Sequence, residues 1–177
     1  MQKAKSLQGK WRHVVFLLIA LLIAGADQLS KIWIRSYPEE PPIFEIGFFQ
    51  LTHAHNTGAA FGLFQGQSLP LTIVAIIGIA AIIGYTLLIH HRSPLLNTML
   101  SKVALGLVLG GTAGNLIDRL RLGHVTDFID FKVWPAFNVA DAAVTVTRLA
   151  RGLPTGGQIE YANKSILADA ISNRREI

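Results

Sequence analysis

The chain has 177 residues, a net charge of +5, a mean hydropathy of +0.42 and no cysteine; 51% of its residues are hydrophobic, 15% charged and 8% aromatic. An average soluble domain carries roughly 25% charged residues, so this aliphatic, charge-depleted chain reads as a small integral membrane protein with no room for a separate globular domain. Nucleic-acid binding is set aside, because a cationic excess of this size fits the cytoplasmic loops of a membrane protein, and the lack of cysteine excludes disulfides, a thiol nucleophile and thiolate metal sites.

A basic leader with Lys3, Lys5, Lys10 and Arg12 precedes the apolar run Val14 to Ala26, and hydrophobicity resumes after Asp27 through Ile34. This predicts a first span over 14–34. Ala24-Gly25-Ala26 has the form of a signal-peptide cleavage site, but the apolar stretch continues past it. Asp27 and Lys31 stand four apart, the spacing of a helical ion pair. Ile43 to Asn56 is rich in β-formers. Within it, His53-x-His55 offers two metal ligands without a third, so no metal is expected. Leu69 to Ile89 is an uncharged run of 21 residues and the second span.

The third span, over 102–118, holds Val103 to Ile117 between Lys102 and the pair Asp118 and Arg119. Gly106, Gly110 and Gly114 recur every four residues, with Gly111 widening the same surface, a pattern that lets helix backbones approach closely. Gly114 could also admit a substrate backbone. Val125 to Trp134 alternates with period two, which predicts a strand. Asp127 is the single polar residue on its odd face, and Thr126, Asp130 and Lys132 share the even face. A weaker fourth span runs over 135–150, where Asn138 and Asp141 are three apart on one helical face, as Asn115 and Arg119 are at a spacing of four. Those 16 residues reach about 24 Å as a helix, short of a core about 30 Å thick. Arg148 and Arg151 stand where a full span would continue, and 154–177 is an atypical polar tail.

Placing both termini in the cytoplasm puts 11 of the 16 basic residues inside, as the positive-inside rule requires. The predicted fold is thus an all-α membrane bundle of four transmembrane helices, forming one domain over 1–153, with a small extracytoplasmic β element. Ionisable residues in spans are functional candidates. Asp27 lies about 20 Å along its helix from Val14, and Asp118, Arg119 and Asp141 also fall toward the outer face. That distribution fits a site open to the outer interface better than a relay through the full thickness. A purely structural role, in which Asn115, Asp118, Arg119 and Asn138 tie helix ends together, remains open at this level.

Five segments carry a resemblance: Asp27-Gln-Leu-Ser-Lys31, Asn56-Thr-Gly-Ala-Ala-Phe61, Gly114-Asn-Leu-Ile-Asp-Arg119, Val125-Thr-Asp-Phe128 and Phe137-Asn-Val-Ala-Asp141. In this order and spacing, over about residues 12–147, the chain resembles the bacterial lipoprotein signal peptidases (signal peptidase II). The resemblance implies an aspartic endopeptidase of the inner membrane that removes signal peptides from diacylglyceryl-modified prolipoproteins, cutting before the lipidated cysteine. It implies Asp127 and Asp141 as the catalytic pair, with Asn56, Asn115, Arg119 and Asn138 lining the site and Asp27 and Asp118 in support. It implies no cofactor, and its partners are the prolipoprotein and membrane lipid. Two other classes compete: a small proton-coupled transporter using Asp27, Asp118 and Asp141, and a non-catalytic assembly protein packed through the glycine seam.

Overall fold

The structure is a computed structural model that describes residues 2–58, 64–89 and 98–152. Residues 59–61 of the second motif, the 90–97 loop and the tail from 153 onward lie outside the described residues, as do the side chains of Arg148 and Arg151. Among the described residues, four helices carry a three-stranded sheet. Helix α1 (Gln2–Ile34) leads to β1 (Phe44–Ile46) and β2 (Phe49–Asn56). Helix α2 (Ser68–Gly84) continues into a π-helical turn over Tyr85–Ile89, and α3 (Met99–Leu122), β3 (Val125–Asp130) and α4 (Val139–Gly152) follow.

Trp11–Ile34 and Met99–Leu122 are long and apolar enough to cross a membrane, while Ser68–Gly84 is a shorter apolar helix of 17 residues and α4 has 14. The distribution of side chains is inverted relative to a soluble core. Large aliphatic residues such as Leu21, Leu22, Leu29 and Ile77 are exposed, whereas Lys31, Lys102, Asn138, Thr126, Asp27 and Asp118 are among the largest fully buried side chains. A lipid environment suits the exposed aliphatics, and within it polar groups gather where helices shield them.

Helices α1 and α3 pack most closely, along the predicted glycine seam. A Cβ on Gly106 would lie 2.8 Å from the Phe16 carbonyl oxygen, and one on Gly110 would lie 2.6 Å from that of Ala20. Phe16, Ala20 and Leu109 form the apolar core there, with Leu105, Ile79 and Ile82 packed against it. Gly111 turns to α4, meeting the Ala140 carbonyl. Because backbone and not a flexible side chain blocks the space, Gly110→Ala should force the helices apart and destabilise the fold by about 1–3 kcal/mol, read as a lower melting temperature in detergent. Gly78→Ala, with nothing within 4 Å, is the control; equal melting of the two variants would refute the close approach.

The expected β element forms an antiparallel sheet in the order β1-β2-β3. Gly47, at φ 58°, turns the hairpin. A register irregularity lies between Leu51 and Ala54, after which Ala54 stands opposite Asp127 and Asn56 opposite Val125. Strand β3 departs from the expected alternation: Val125, Thr126, Asp127 and Phe128 are all buried. The even face is not outward at Thr126, because Arg35, just past the end of α1, donates to its hydroxyl and Asp118 of α3 accepts from its N–H. The join from α3 is tight, since Gly123 adopts a left-handed φ of 78° and caps the helix through Arg119 O. Past β3 the chain doubles back, and Phe137 bridges to Ile129. This reversal sets Asn138 beside Asp127.

Candidate active site

Asn138 lies one residue before α4 and is its N-cap. Its Oδ1 accepts from the Asp141 N–H at 3.0 Å, and the Asp141 carboxylate accepts from the Asn138 N–H at 3.4 Å. This reciprocal pair has the logic of a capping box, and it fixes the Asp141 side chain at the mouth of the helix. The expectation that Asn138 and Asp141 share a helical face is met as a cap and third helical residue. The Asn138 amide then donates to Asp127 Oδ1 at 2.7 Å, so one residue links both carboxylates, Asp127 through its side chain and Asp141 through its backbone N–H.

Each carboxylate has a second amide. Asn56 donates to Asp127 Oδ2 at 2.8 Å while its own oxygen accepts from Gly58 N at 2.8 Å, which locks the amide orientation. Asn115 donates to Asp141 Oδ1 at 3.0 Å, and its oxygen accepts from Asn138 and Lys31. Among the described residues, neither Asp127 nor Asp141 has a cation within ion-pair distance. Asp127 is 2% exposed; burial first, and then the nearby negative Asp141, push its pKa up to about 7 against the opposing hydrogen bonds of Asn56 and Asn138. An open cleft of about 270 Å³ adjoins it, lined by Asn56, Thr57, Gln65, Asp127, Pro135 and Ala136.

Asp27 and Asp118 are held quite differently. The Lys31 ammonium donates to Asp27 Oδ2 at 2.8 Å and Asn115 Oδ1 at 2.8 Å and pairs with Asp118 Oδ2 at 3.2 Å, so its three protons meet three acceptors. Arg35 pairs with Asp118 Oδ1 at 2.6 Å, and Gln28 donates to the same oxygen at 3.0 Å. Asp27 Oδ1 also accepts from the Ala140 N–H at 3.0 Å, capping α4 from α1. The predicted Asp27–Lys31 pair is present but is one corner of a neutral four-charge network. Reading the sequence missed Gln28 and Arg35 and the wider reach of Lys31. Their signal was the spacing 28, 31, 35, which carries one face of α1 on to the residue just past its end, where the Arg35 N–H still bonds Lys31 O.

The remaining candidates divide. Arg119 donates to Gly58 O at 2.9 Å, and its Nε is buried with no hydrogen-bond partner. Gly114 does not open onto the cleft. The place a side chain would take is filled by the Asp27 carboxylate, 2.4 Å from a Cβ, and its carbonyl accepts from Gln28. The expectation that Gly114 admits substrate backbone is therefore corrected to helix packing against Asp27. His53 lies 2.9 Å from Tyr37 O and 3.3 Å from His55, which stacks on His124 with ring centroids 3.9 Å apart. Burial and the neighbouring His55 hold His124 below the usual histidine range. Among the described residues no three metal-ligating side chains converge.

Known proteins are similar to this chain in sequence and architecture. Residues 19–151 match the family described as Signal peptidase (SPase) II. The Lipoprotein signal peptidase of Moorella thermoacetica is 43% identical over 131 residues, covering 73% of this chain and 84% of that protein. One from Dehalococcoides mccartyi is 45% identical over 137 residues, covering 76% and 84%. A solved bacterial membrane enzyme superposes with a TM-score of 0.68 at 27% identity, covering 92% of each chain, and a second with 0.63 at 29% identity, covering 75% of this chain and 86% of that one. The chain is a membrane peptidase and belongs to the signal peptidase II family.

Proposed function

We propose that this peptidase removes signal peptides from diacylglyceryl-modified prolipoproteins by an aspartic mechanism, with Asp127 and Asp141 as the catalytic pair, cutting before the lipidated cysteine. The observation that carries this reading is the division among the four acids. Asp27 and Asp118 are neutralised by Lys31 and Arg35, whereas Asp127 and Asp141 are joined through Asn138 without a paired cation, and Asp127 borders a cleft. Neutralised acids hold helices together. Two neighbouring unneutralised ones share a proton, which general acid–base hydrolysis requires.

In this scheme the ionised carboxylate takes a proton from water as its oxygen attacks the scissile carbonyl carbon. The protonated partner gives its proton to the carbonyl oxygen, and collapse of the tetrahedral diol breaks the C–N bond as the amine nitrogen is protonated. The proton belongs to the pair and not to one member. Arg119, which donates to Gly58 O, lines the site in this scheme, and Asn56, Asn115 and Asn138 hold the carboxylates. Asp27 and Asp118 support the site through the helices they join.

The four helices are proposed to cross the inner membrane four times, over about 14–34, 69–89, 102–118 and 135–150. Both termini and the 154–177 tail are then cytoplasmic, 1–153 is a single domain, and the substrate's acyl chains stay in the bilayer. The π-helical turn after α2 brings its helical run to Ile89, which supports the second crossing. The transporter alternative loses support because two of its three acids are locked in ion pairs. Purified protein in liposomes should cleave a diacylglyceryl-modified precursor and leave the unmodified precursor intact. With Asp127 near 7, the shared proton is held below that pH and lost above it, so the turnover rate should fall about tenfold per unit on the alkaline side. Proton-coupled solute flux without cleavage would overturn the reading in favour of a transporter.

A further inference from the structure

A second cleft, of about 770 Å³, continues the one beside Asp127. The two meet at Ala54 and Ala136, which line both. Strand β2 supplies Gln50, Thr52, His53 and Ala54 to the second cleft, and the segment over 39–42 forms a wall of it. That segment runs beside β2: the Ile43 N–H donates to Leu51 O at 2.8 Å, and the Glu39 carboxylate lies 3.6 Å from His55. The sheet register gives the direction. Ala54 stands opposite Asp127 and Gln50 opposite Asp130, so the cleft leads away from Asp127 along four residues of β2, about 13 Å at the rise of a strand.

The chemistry of this second cleft is acidic. Among the described residues Glu39, Glu40 and Asp130 line it, and no lysine or arginine does. Asp130 is taken up by the sheet, since it accepts from the Gln50 amide at 2.6 Å and the Lys132 N–H at 2.7 Å. Glu39 is 63% exposed, and its partner His55 is a cation only when protonated. Glu40 is exposed on the same wall. The two glutamates are therefore the carboxylates that a ligand in the cleft meets. An apolar signal sequence gains nothing there, because polar and charged groups lose hydration against an apolar ligand. The residues after the lipidated cysteine are the water-facing part of the substrate, and about four of them, extended at about 3.3 Å each, span the cleft.

We propose that the second cleft receives the first residues after the lipidated cysteine, and that Glu39 and Glu40 on its wall select for positive charge in that segment. This rests on the peptidase reading proposed above and adds a preference beyond the scissile bond. A lysine in the segment meets two carboxylates, whereas a glutamate meets like charge. Exposed pairs are individually weak and screened by salt, so the selection is graded and appears in kcat/KM. It orders substrates by the start of the mature chain, a part that the chemistry at Asp127 and Asp141 does not read.

The test uses the full chain in phosphatidylcholine nanodiscs, whose zwitterionic surface does not sort substrates by net charge. Two diacylglyceryl-modified precursors differ only at the third and fourth residues after the cysteine, Lys-Lys in one and Glu-Glu in the other. A second pair carries the same change far downstream, beyond the reach of the cleft. For wild type, kcat/KM on the proximal Lys precursor should exceed that on the Glu precursor about tenfold at low salt and less as salt rises, with the distal pair cleaved alike. Glu39→Gln combined with Glu40→Gln should bring the proximal ratio below about twofold, and Glu40→Lys should shift it toward the Glu precursor. Equal kcat/KM on the proximal pair, the same preference on the distal pair, or a ratio unchanged in both variants overturns the cleft assignment and leaves the peptidase reading standing. Cleavage of no precursor by wild type overturns both.

Discussion

Asp127→Asn and Asp141→Asn should each lower the turnover rate on a lipid-modified precursor by about a thousandfold, within the range a positioned acid or base contributes. The isosteric amide keeps a hydrogen-bonding group among Asn56, Asn138 and Asn115, so yield and melting temperature should stay near wild type. The double variant should be little slower than either single one, because two groups sharing one proton act as a unit. Asp130→Asn is the internal control. Asp130 lies three residues from Asp127 on the same strand but bonds Gln50 and the Lys132 N–H at the edge of the sheet, and its loss should leave turnover within about twofold, as for a surface substitution. Normal turnover by a folded Asp127 or Asp141 variant would remove the proposed aspartic mechanism.

Lys31→Met should have the largest effect on stability. It removes the ammonium whose three protons go to Asp27, Asp118 and Asn115, leaving Asp27 as a buried charge without a cation while Arg35 still meets Asp118. Breaking a buried pair in this way costs about 3–5 kcal/mol, which should appear as a sharp loss of folded protein in detergent. Adding Asp27→Asn should recover part of it, since the second change removes the stranded charge; a thermodynamic cycle over the four proteins measures the coupling. A Lys31→Met protein as stable as wild type would show that the network contributes little. Cleavage per folded molecule should also fall, because Lys31 helps set the amide of Asn115 that bonds Asp141.

Composition and periodicity made much of this legible. Uncharged runs marked the helical segments, β-formers before Asn56 marked the hairpin, and the four-residue glycine repeat marked the α1–α3 contact, because each records a local rule about lipid, pleat or close approach. Asp127 stood out as the lone polar residue on an apolar face, and it is buried. The role of Gly114 was not readable, since the seam that admits helix backbones also admits the Asp27 carboxylate, and only the rotation of α1 decides which. Nor was the state of Thr126. Period two describes a strand with one wet face, whereas β3 is covered on both by groups of other segments, Arg35 and Asp118 among them. The ion network was half visible as Asp27 and Lys31, its other half being long-range.

Asn138 shows how few side chains a position can accept when it answers two geometries at once. A helix start is satisfied about equally by Asn, Asp or Ser, and nearly as well by Thr. Here the oxygen that caps α4 shares its side chain with the amide that donates to Asp127. Serine and threonine keep a cap but are too short and lack the forked amide; aspartate keeps the cap and brings a third negative charge against two others. Glutamine has the amide but displaces it by a methylene. Each neighbour in chemical space preserves one role by giving up the other, so the local grammar of a helix start and the electrostatics of the cleft are written in a single side chain. A change that began as helix optimisation would arrive as a change in the proton affinity of Asp127.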